Sequence, residues 1–168
     1  MRLQAYYGKP GTRQWENENL VYITLPYPMR LAWEPDVTIN RIRVHKKEAN
    51  KFRNALLSLW NAARMEVKKR VGFKSLSSAE YDVATLQMLQ AHDLDRWGGS
   101  YAYRTATGSS NLSMHAYGLA MDIDPLGNPW KAKKWTMPDW AVQAICSQGF
   151  VWGGTWRNKD CMHYEIKQ

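Results

Sequence analysis

Phe52, Leu56, Leu59, Trp60, Ala63 and Val67 recur at steps of three and four, with Lys and Arg on the other side of the repeat. That spacing gathers apolar side chains on one stripe of an α-helix and predicts a long amphipathic helix over about 46–70, stopped by Gly72. A second helix is expected from near Ser77 towards Asp93, with Val83, Leu86, Met88 and Leu89 as its apolar positions. Ser77 and Glu80 form a capping-box pair, in which each side chain binds the other residue's backbone N–H. His92, near the end of this helix, reads as a surface residue. A third helix is predicted over about 138–147, with Pro138 at a favoured first position and Gly149 just past the end.

Elsewhere the apolar residues come in short runs. VYITL (21–25), VTINRIRV (37–44), SYAYRT (100–105), GLAMDI (118–123), FVWGGTW (150–156) and MHYEIK (162–167) read as strands. Residues 1–45 hold Pro26, Pro28 and Pro35 among Asn and aromatics, and are expected to form an irregular segment, with short strands at most, packed on the rest. No internal repeat or linker divides the chain, so residues 1–168 are expected to make one domain. Helices early and adjacent strands late predict an α+β fold with a central antiparallel sheet flanked by helices.

Composition adds a packed core and a basic surface. Hydrophobic residues make up 45%, and the net charge of +8 suits an anionic partner such as nucleic acid, a membrane surface or a bacterial cell wall. The Lys68-Lys69-Arg70 run needs no partner, since cations at a helix C-terminus complement its dipole. No helix-turn-helix, RNA-binding or zinc-finger signature is present, so nucleic acid is not an expected partner. Two cysteines, Cys146 and Cys161, are too few for a disulfide framework. Neither a signal-peptide stretch nor a run long enough to span a bilayer is seen, so stable membrane insertion is not expected. The expectation is a chain made in the cytoplasm that reaches any extracellular target by another route.

The candidate chemistry lies in two segments, SMHAYGLAMDID (113–124) and DCMHYEI (160–166). His115, Asp122 and His163 are three ligands of the kind that hold a catalytic zinc while leaving a fourth position for water. Such a hydrolase also needs a carboxylate to move a proton, and Asp160 can serve if the chain bends at 160–161. Alternation leaves rivals. Asp124 shares a face with Asp122, and Cys161 and Glu165 share one with His163, as a possible ligand and a possible base. Ser113 and Gly118 are expected to shape the turn, and Trp152 and Trp156 are candidates for a groove wall or for the core.

The motif Ser-x-His-x-x-Gly-x-Ala-x-Asp, followed by DCMHYE, resembles the zinc metallopeptidases that include D-alanyl-D-alanine carboxypeptidases, D-Ala-D-Ala dipeptidases and phage L-alanyl-D-glutamate endopeptidases. The likeness runs from about Gly98 to the end. A weaker one, LPYPMRLAW followed by RVHKK, points to the phage and prophage branch. The resemblance implies one zinc ion held by His115, Asp122 and His163, with Asp160 as general base. It implies that Arg104, in YAYR, stabilises the developing oxyanion or binds a substrate carboxylate, roles that suit a permanently charged fork of donors. It further implies a hedgehog-like or DD-peptidase-like fold whose central antiparallel sheet carries the zinc. The expected function is a monomeric endolysin that cuts peptidoglycan between L-Ala and D-Glu after release to the wall. A D-Ala-D-Ala carboxypeptidase or dipeptidase, and a non-catalytic zinc-containing wall binder, are the alternatives.

Overall fold

A computed structural model describes residues 3–72 and 76–168. In chain order the elements are α1 (Leu3–Tyr7), α2 (Arg13–Asn19), β1 (Leu20–Leu31), β2 (Thr38–His45), α3 (Ala49–Val71), α4 (Ser78–Ala91), β3 (Arg96–Gly99), β4 (Ala120–Ile123), α5 (Asp139–Cys146), β5 (Phe150–Trp152) and β6 (His163–Ile166). Short 3-10 turns at Met114–Tyr117 and Gly153–Thr155 interrupt the second half.

The fold is α+β, but its sheet is mixed. Six strands lie in the order β2-β1-β3-β4-β6-β5, and β3 runs parallel to β1 while every other pair is antiparallel. This corrects the antiparallel expectation. After the β1–β2 hairpin, α3 and α4 carry the chain away and back before it re-enters the sheet beside β1. The junction is fixed by charge: Arg30 of β1 grips buried Asp95 through Nε and Nη2 at 2.7 and 2.8 Å. Such a two-pronged pair holds its geometry better than a single contact would.

The segment 1–45 is also more regular than expected. It supplies two short helices and the longest strand among the described residues. Ile23, Leu25, Tyr27 and Met29 alternate inward, while Pro26 and Pro28 face outward, where the pairing with β2 shifts register between Thr24 and Met29. Proline lacks the N–H that a ladder needs, so the two prolines fall where the ladder is interrupted.

The three expected helices are present. Phe52, Leu56, Leu59 and Ala63 of α3 are fully buried, and Phe52 meets Phe150 edge-on at 5.0 Å. Gly72, at φ 64°, ends the helix. The α4 capping box forms, with Ser77 Oγ accepting from the Glu80 N–H at 3.3 Å and Glu80 Oε2 accepting from the Ser77 N–H at 2.7 Å. Met88 and Leu89 are buried as expected, joined by Thr85, whereas Val83 faces solvent. His92 caps α4 half-buried, its ring edge-on to Trp140. Pro138 sits one position before the first turn of α5.

Two expected strands are shorter or missing. SYAYRT forms no ladder beyond a single Thr105–Leu112 bridge, because its neighbour is the 3-10 turn: Ala102 N–H donates to the His115 carbonyl, and Ser113 N–H donates to Arg104's. FVWGGTW ends as a strand at Trp152, where the two glycines turn the chain. Among the described residues, no helix is long and apolar enough to cross a membrane.

Candidate metal centre

The site is built where β4 and β6, the fourth and fifth strands of the sheet, pair. Asp122 lies directly opposite His163 in that antiparallel register, so their side chains leave the same face as neighbours. His115 arrives from the 3-10 turn before β4. Ser113 opens that turn by accepting the His115 N–H at 3.2 Å, and Gly118 closes it with a left-handed backbone at φ 67°. A Cβ on Gly118 would lie 2.8 Å from Leu20 Cδ2 and 2.9 Å from the His45 nitrogen, so only glycine lets the turn press against the β1–β2 hairpin.

The three ligand atoms face one another. His115 Nε2 lies 3.2 Å from Asp122 Oδ2 and 3.2 Å from His163 Nδ1, which in turn lies 3.0 Å from Asp122 Oδ1. Donors about 2.0–2.1 Å from a tetrahedral zinc are separated by roughly 3.3 Å. The donor types and the close approach of the three side chains therefore suit zinc. Neighbouring acceptors settle which ring nitrogens are free. His115 Nδ1–H donates to the Ser100 carbonyl at 3.0 Å, leaving Nε2 for the metal. His163 Nε2–H donates to Glu165 Oε2 at 3.0 Å, leaving Nδ1. A ligating histidine held by its second nitrogen is oriented and made a better donor.

The rivals lie elsewhere or take other parts. β4 ends at Ile123, and Asp124 adopts a left-handed backbone at φ 48° that turns its side chain away. Its buried carboxylate binds Arg96 Nη1 at 2.9 Å, Asn128 Nδ2 at 2.9 Å and Thr136 Oγ1 at 3.1 Å. Cys161 is buried outside the cluster, and both cysteines are free thiols. Glu165 reaches His163 and belongs to the site as that ring's acceptor.

Asp160 is brought to the site by the expected bend. A turn closes from the His163 N–H to the Asp160 carbonyl at 3.1 Å, and Asp160 N–H donates to Gly153 O at 3.0 Å. A Cβ on Gly153 would fall 2.5 Å from the Asp160 carbonyl oxygen, so the glycine permits this approach. Asp160 Oδ1 is buried with no hydrogen-bond partner among the described residues. Burial raises its carboxyl above the ordinary value, with the Asp122 charge adding to the rise and His163, His115 and Arg104 opposing it. Burial also acts against ionised Asp122, but its bonds to His115 and His163 outweigh burial and hold it well below the usual carboxylate range. For His163, burial disfavours the cation, yet the bonds to Asp122 and Glu165 prevail and raise it to about 9.

Arg104 is exposed, its Nη1 donating to the Thr105 carbonyl at 3.2 Å, and it lines a cleft of about 440 Å³ together with Asp160, His163, Trp156 and Trp130. Trp156 packs 5.3 Å from the His163 ring, which places it on the groove wall. Trp152 is not on that wall: its indole N–H donates to the Cys161 carbonyl at 2.8 Å. Sequence reasoning missed Ser100 and Trp130, which carry no motif. Glu165 carries a signal, its two-residue spacing from His163, but that spacing points equally to a base and to the anchor it is.

Two histidines and a carboxylate with zinc-compatible spacing, beside a half-desolvated carboxyl in a cleft, define a candidate metal-dependent hydrolase centre. Residues 107–166 match the family described as D-alanyl-D-alanine carboxypeptidase. That stretch holds His115, Asp122, Asp160 and His163, and it stops short of Arg104, Ser100 and the whole N-terminal half. No curated protein and no solved structure shows a significant match. The family likeness supports a zinc-dependent peptidase in general terms and carries no information on a phage branch.

Proposed function

We propose that the chain is a zinc metallopeptidase that hydrolyses peptidoglycan stem peptides, cutting between L-Ala and D-Glu as a phage or prophage endolysin. The observation that carries the reading is the grouping of His115, Asp122 and His163, whose ring nitrogens and carboxylate oxygens approach to 3.0–3.2 Å, with His163 lining a cleft that also holds Asp160. When bound, zinc supplies a Lewis acid toward the scissile carbonyl and lowers the pKa of its water to about 7. His115, Asp122 and His163 hold the ion, and Ser100 and Glu165 orient the two rings. Asp160 takes a proton from the attacking water and gives it to the leaving amine, a role suited by its raised pKa. Arg104 offers its donors to developing negative charge or to a substrate carboxylate. The fold proposed is the hedgehog-like and DD-peptidase-like one, with N-terminal additions.

The basic surface favours adhesion to the anionic wall, which a monomer would reach after release from the host cytoplasm. Arg157 and Asn158 line both this cleft and a second pocket beside it, which suits a chain running on beyond the cut. The matched family's description favours a second reading, a D-Ala-D-Ala carboxypeptidase or dipeptidase with the same chemistry. Mass spectrometry of purified peptidoglycan, digested with and without a chelator, separates the two. New L-Ala termini support the endopeptidase, whereas loss of terminal D-Ala supports the exopeptidase. Digestion that persists after the metal is verifiably removed would refute both. Asp160→Ala is expected to lower kcat by about 10²–10⁴ with zinc content unchanged.

A further inference from the structure

Next to the cleft lies a pocket of about 380 Å³ lined by Lys131, Ala132, Lys133, Arg157, Asn158 and Lys159. Four of these are cations and none is an acid. No carboxylate stands within ion-pair distance of any of the four among the described residues, so their charge is not cancelled locally. The pocket is held in shape by backbone. Lys131 N–H donates to the Lys159 carbonyl at 2.7 Å, joining the 129–135 loop to the turn before Asp160, and Lys131 adopts φ 60°. Lys159 Nζ is fixed by the Gly154 carbonyl at 2.8 Å and lies 5.1 Å from the Trp135 ring. Lys131 Nζ sits 4.1 Å over Trp130, an indole that faces the catalytic cleft.

Arg157 and Asn158 line both the pocket and the cleft, so one ligand can occupy the two without leaving the surface. We infer that this cationic pocket is a carboxylate subsite: it binds a free carboxylate of the peptide substrate a short distance beyond the bond being cut. Concentrated positive charge at one end of a cleft selects an extended peptide that is acidic on that side, and Arg157's planar fork can bind a carboxylate through two parallel bonds. The inference rests on the stem-peptide reading and deepens it, since a stem peptide keeps free carboxylates along its length. A phosphodiester polymer would also meet cations here, but continuity with the cleft favours the peptide.

The test measures binding by calorimetry on the zinc-loaded chain carrying Asp160→Asn, which slows turnover. The probes are a stem peptide with free carboxylates, the same peptide with its D-Glu α-carboxyl as carboxamide, and a poly(glycerol phosphate). The free acid should bind roughly five- to tenfold more tightly than the amide. In the Lys131→Gln/Arg157→Gln double variant, which removes the fork and one of the flanking ammonium groups, that difference should shrink towards none, and the amide's affinity should hold. Three results would overturn the subsite: equal binding of acid and amide, no binding of either, or a preference untouched by the double substitution. Tighter binding of the polyphosphate, lost in the double variant, would assign the pocket to the polymer instead. The peptidase reading fails separately, if the unsubstituted zinc-loaded chain cleaves neither peptide while still preferring the acid.

Discussion

Glu165 and Asp124 show what residue types alone could and could not specify. Both sit two positions from a ligand, and strict alternation treats them alike. Asp124 leaves the site because its backbone turns at φ 48°, a departure from strand geometry that no spacing rule contains. Glu165 stays because β6 continues through it, and its carboxylate finds His163 Nε2 at 3.0 Å. If Glu165 orients the ring, Glu165→Gln should weaken zinc binding by about 10–100-fold, with the fold intact by circular dichroism. An unchanged zinc dissociation constant would remove it from the site. The raised value of His163 gives a pH test. With no metal bound its folded-state pKa, about 9, exceeds the ordinary 6.5. The stabilisation from the charged ring is then fully present below 6.5 and lost as the pH rises through about 9. Zinc must displace the Nδ1 proton, so its affinity should climb across the same window. Zinc titrations at pH 7.5 in two buffers of different ionisation enthalpy should report about one proton released per ion. Equal heats in both buffers would contradict the protonated ring.

Among the elements, the helices α3, α4 and α5 were the most legible, and α1, α2 and β3 the least. The α3 stripe and the Ser77–Glu80 box are local patterns, readable over one or two turns of chain. Both strands of the β1–β2 hairpin were legible, but the continuation of β1 past residue 25 was hidden by Pro26 and Pro28, although Ile23, Leu25, Tyr27 and Met29 carried a clear period of two. Exposed prolines at a register shift are compatible with a strand. The hairpin also reaches the metal centre. Ser100, whose carbonyl holds His115, donates its hydroxyl to the Arg43 carbonyl at 2.7 Å, and His45 N–H donates to Gly118 O at 2.9 Å. Gly118 is the tightest point of that contact. In Gly118→Ala the added methyl meets Leu20 and the His45 backbone at a left-handed φ, at a cost on the order of 1–3 kcal/mol. The variant should unfold at lower denaturant and also bind zinc more weakly, because His115 rides on the same turn. A loss of stability with zinc affinity untouched would mean that the turn and the ligand are mechanically independent.

At the scale of the whole molecule, the motifs are local and the site is not. The ligands, and the stretch that matches a known family, fall in residues 107–166, which suggests a self-contained C-terminal unit. The sheet order argues otherwise. β4 and β6 are its fourth and fifth strands, with β3 and then β1 and β2 on one side, so the residues before 107 supply half of the six strands and the helix α3 that packs against β1 and α5. Tyr101, beside Ser100, is anchored to Glu16 of α2 at 2.9 Å, and Glu16 also pairs with Arg43 at 2.9 Å. The Ser100 and Gly118 anchors of the His115 turn therefore lead back to residues before 46. A fragment spanning 98–168 would leave the edge of β4 unpaired and expose core side chains such as Met121, Ile123 and Ile145, which are fully buried in the intact chain. A sheet that small, with one face uncovered, has too little apolar burial to offset its conformational entropy. The fragment should show no cooperative unfolding transition, and it should bind zinc at least about 100-fold more weakly than the full chain, since metal affinity includes the cost of folding the site. Full-strength zinc binding by a cooperatively folded 98–168 fragment would show that the N-terminal half is an addition to an independent catalytic domain, and that the braces from Glu16, Arg43 and His45 do not set the geometry of His115.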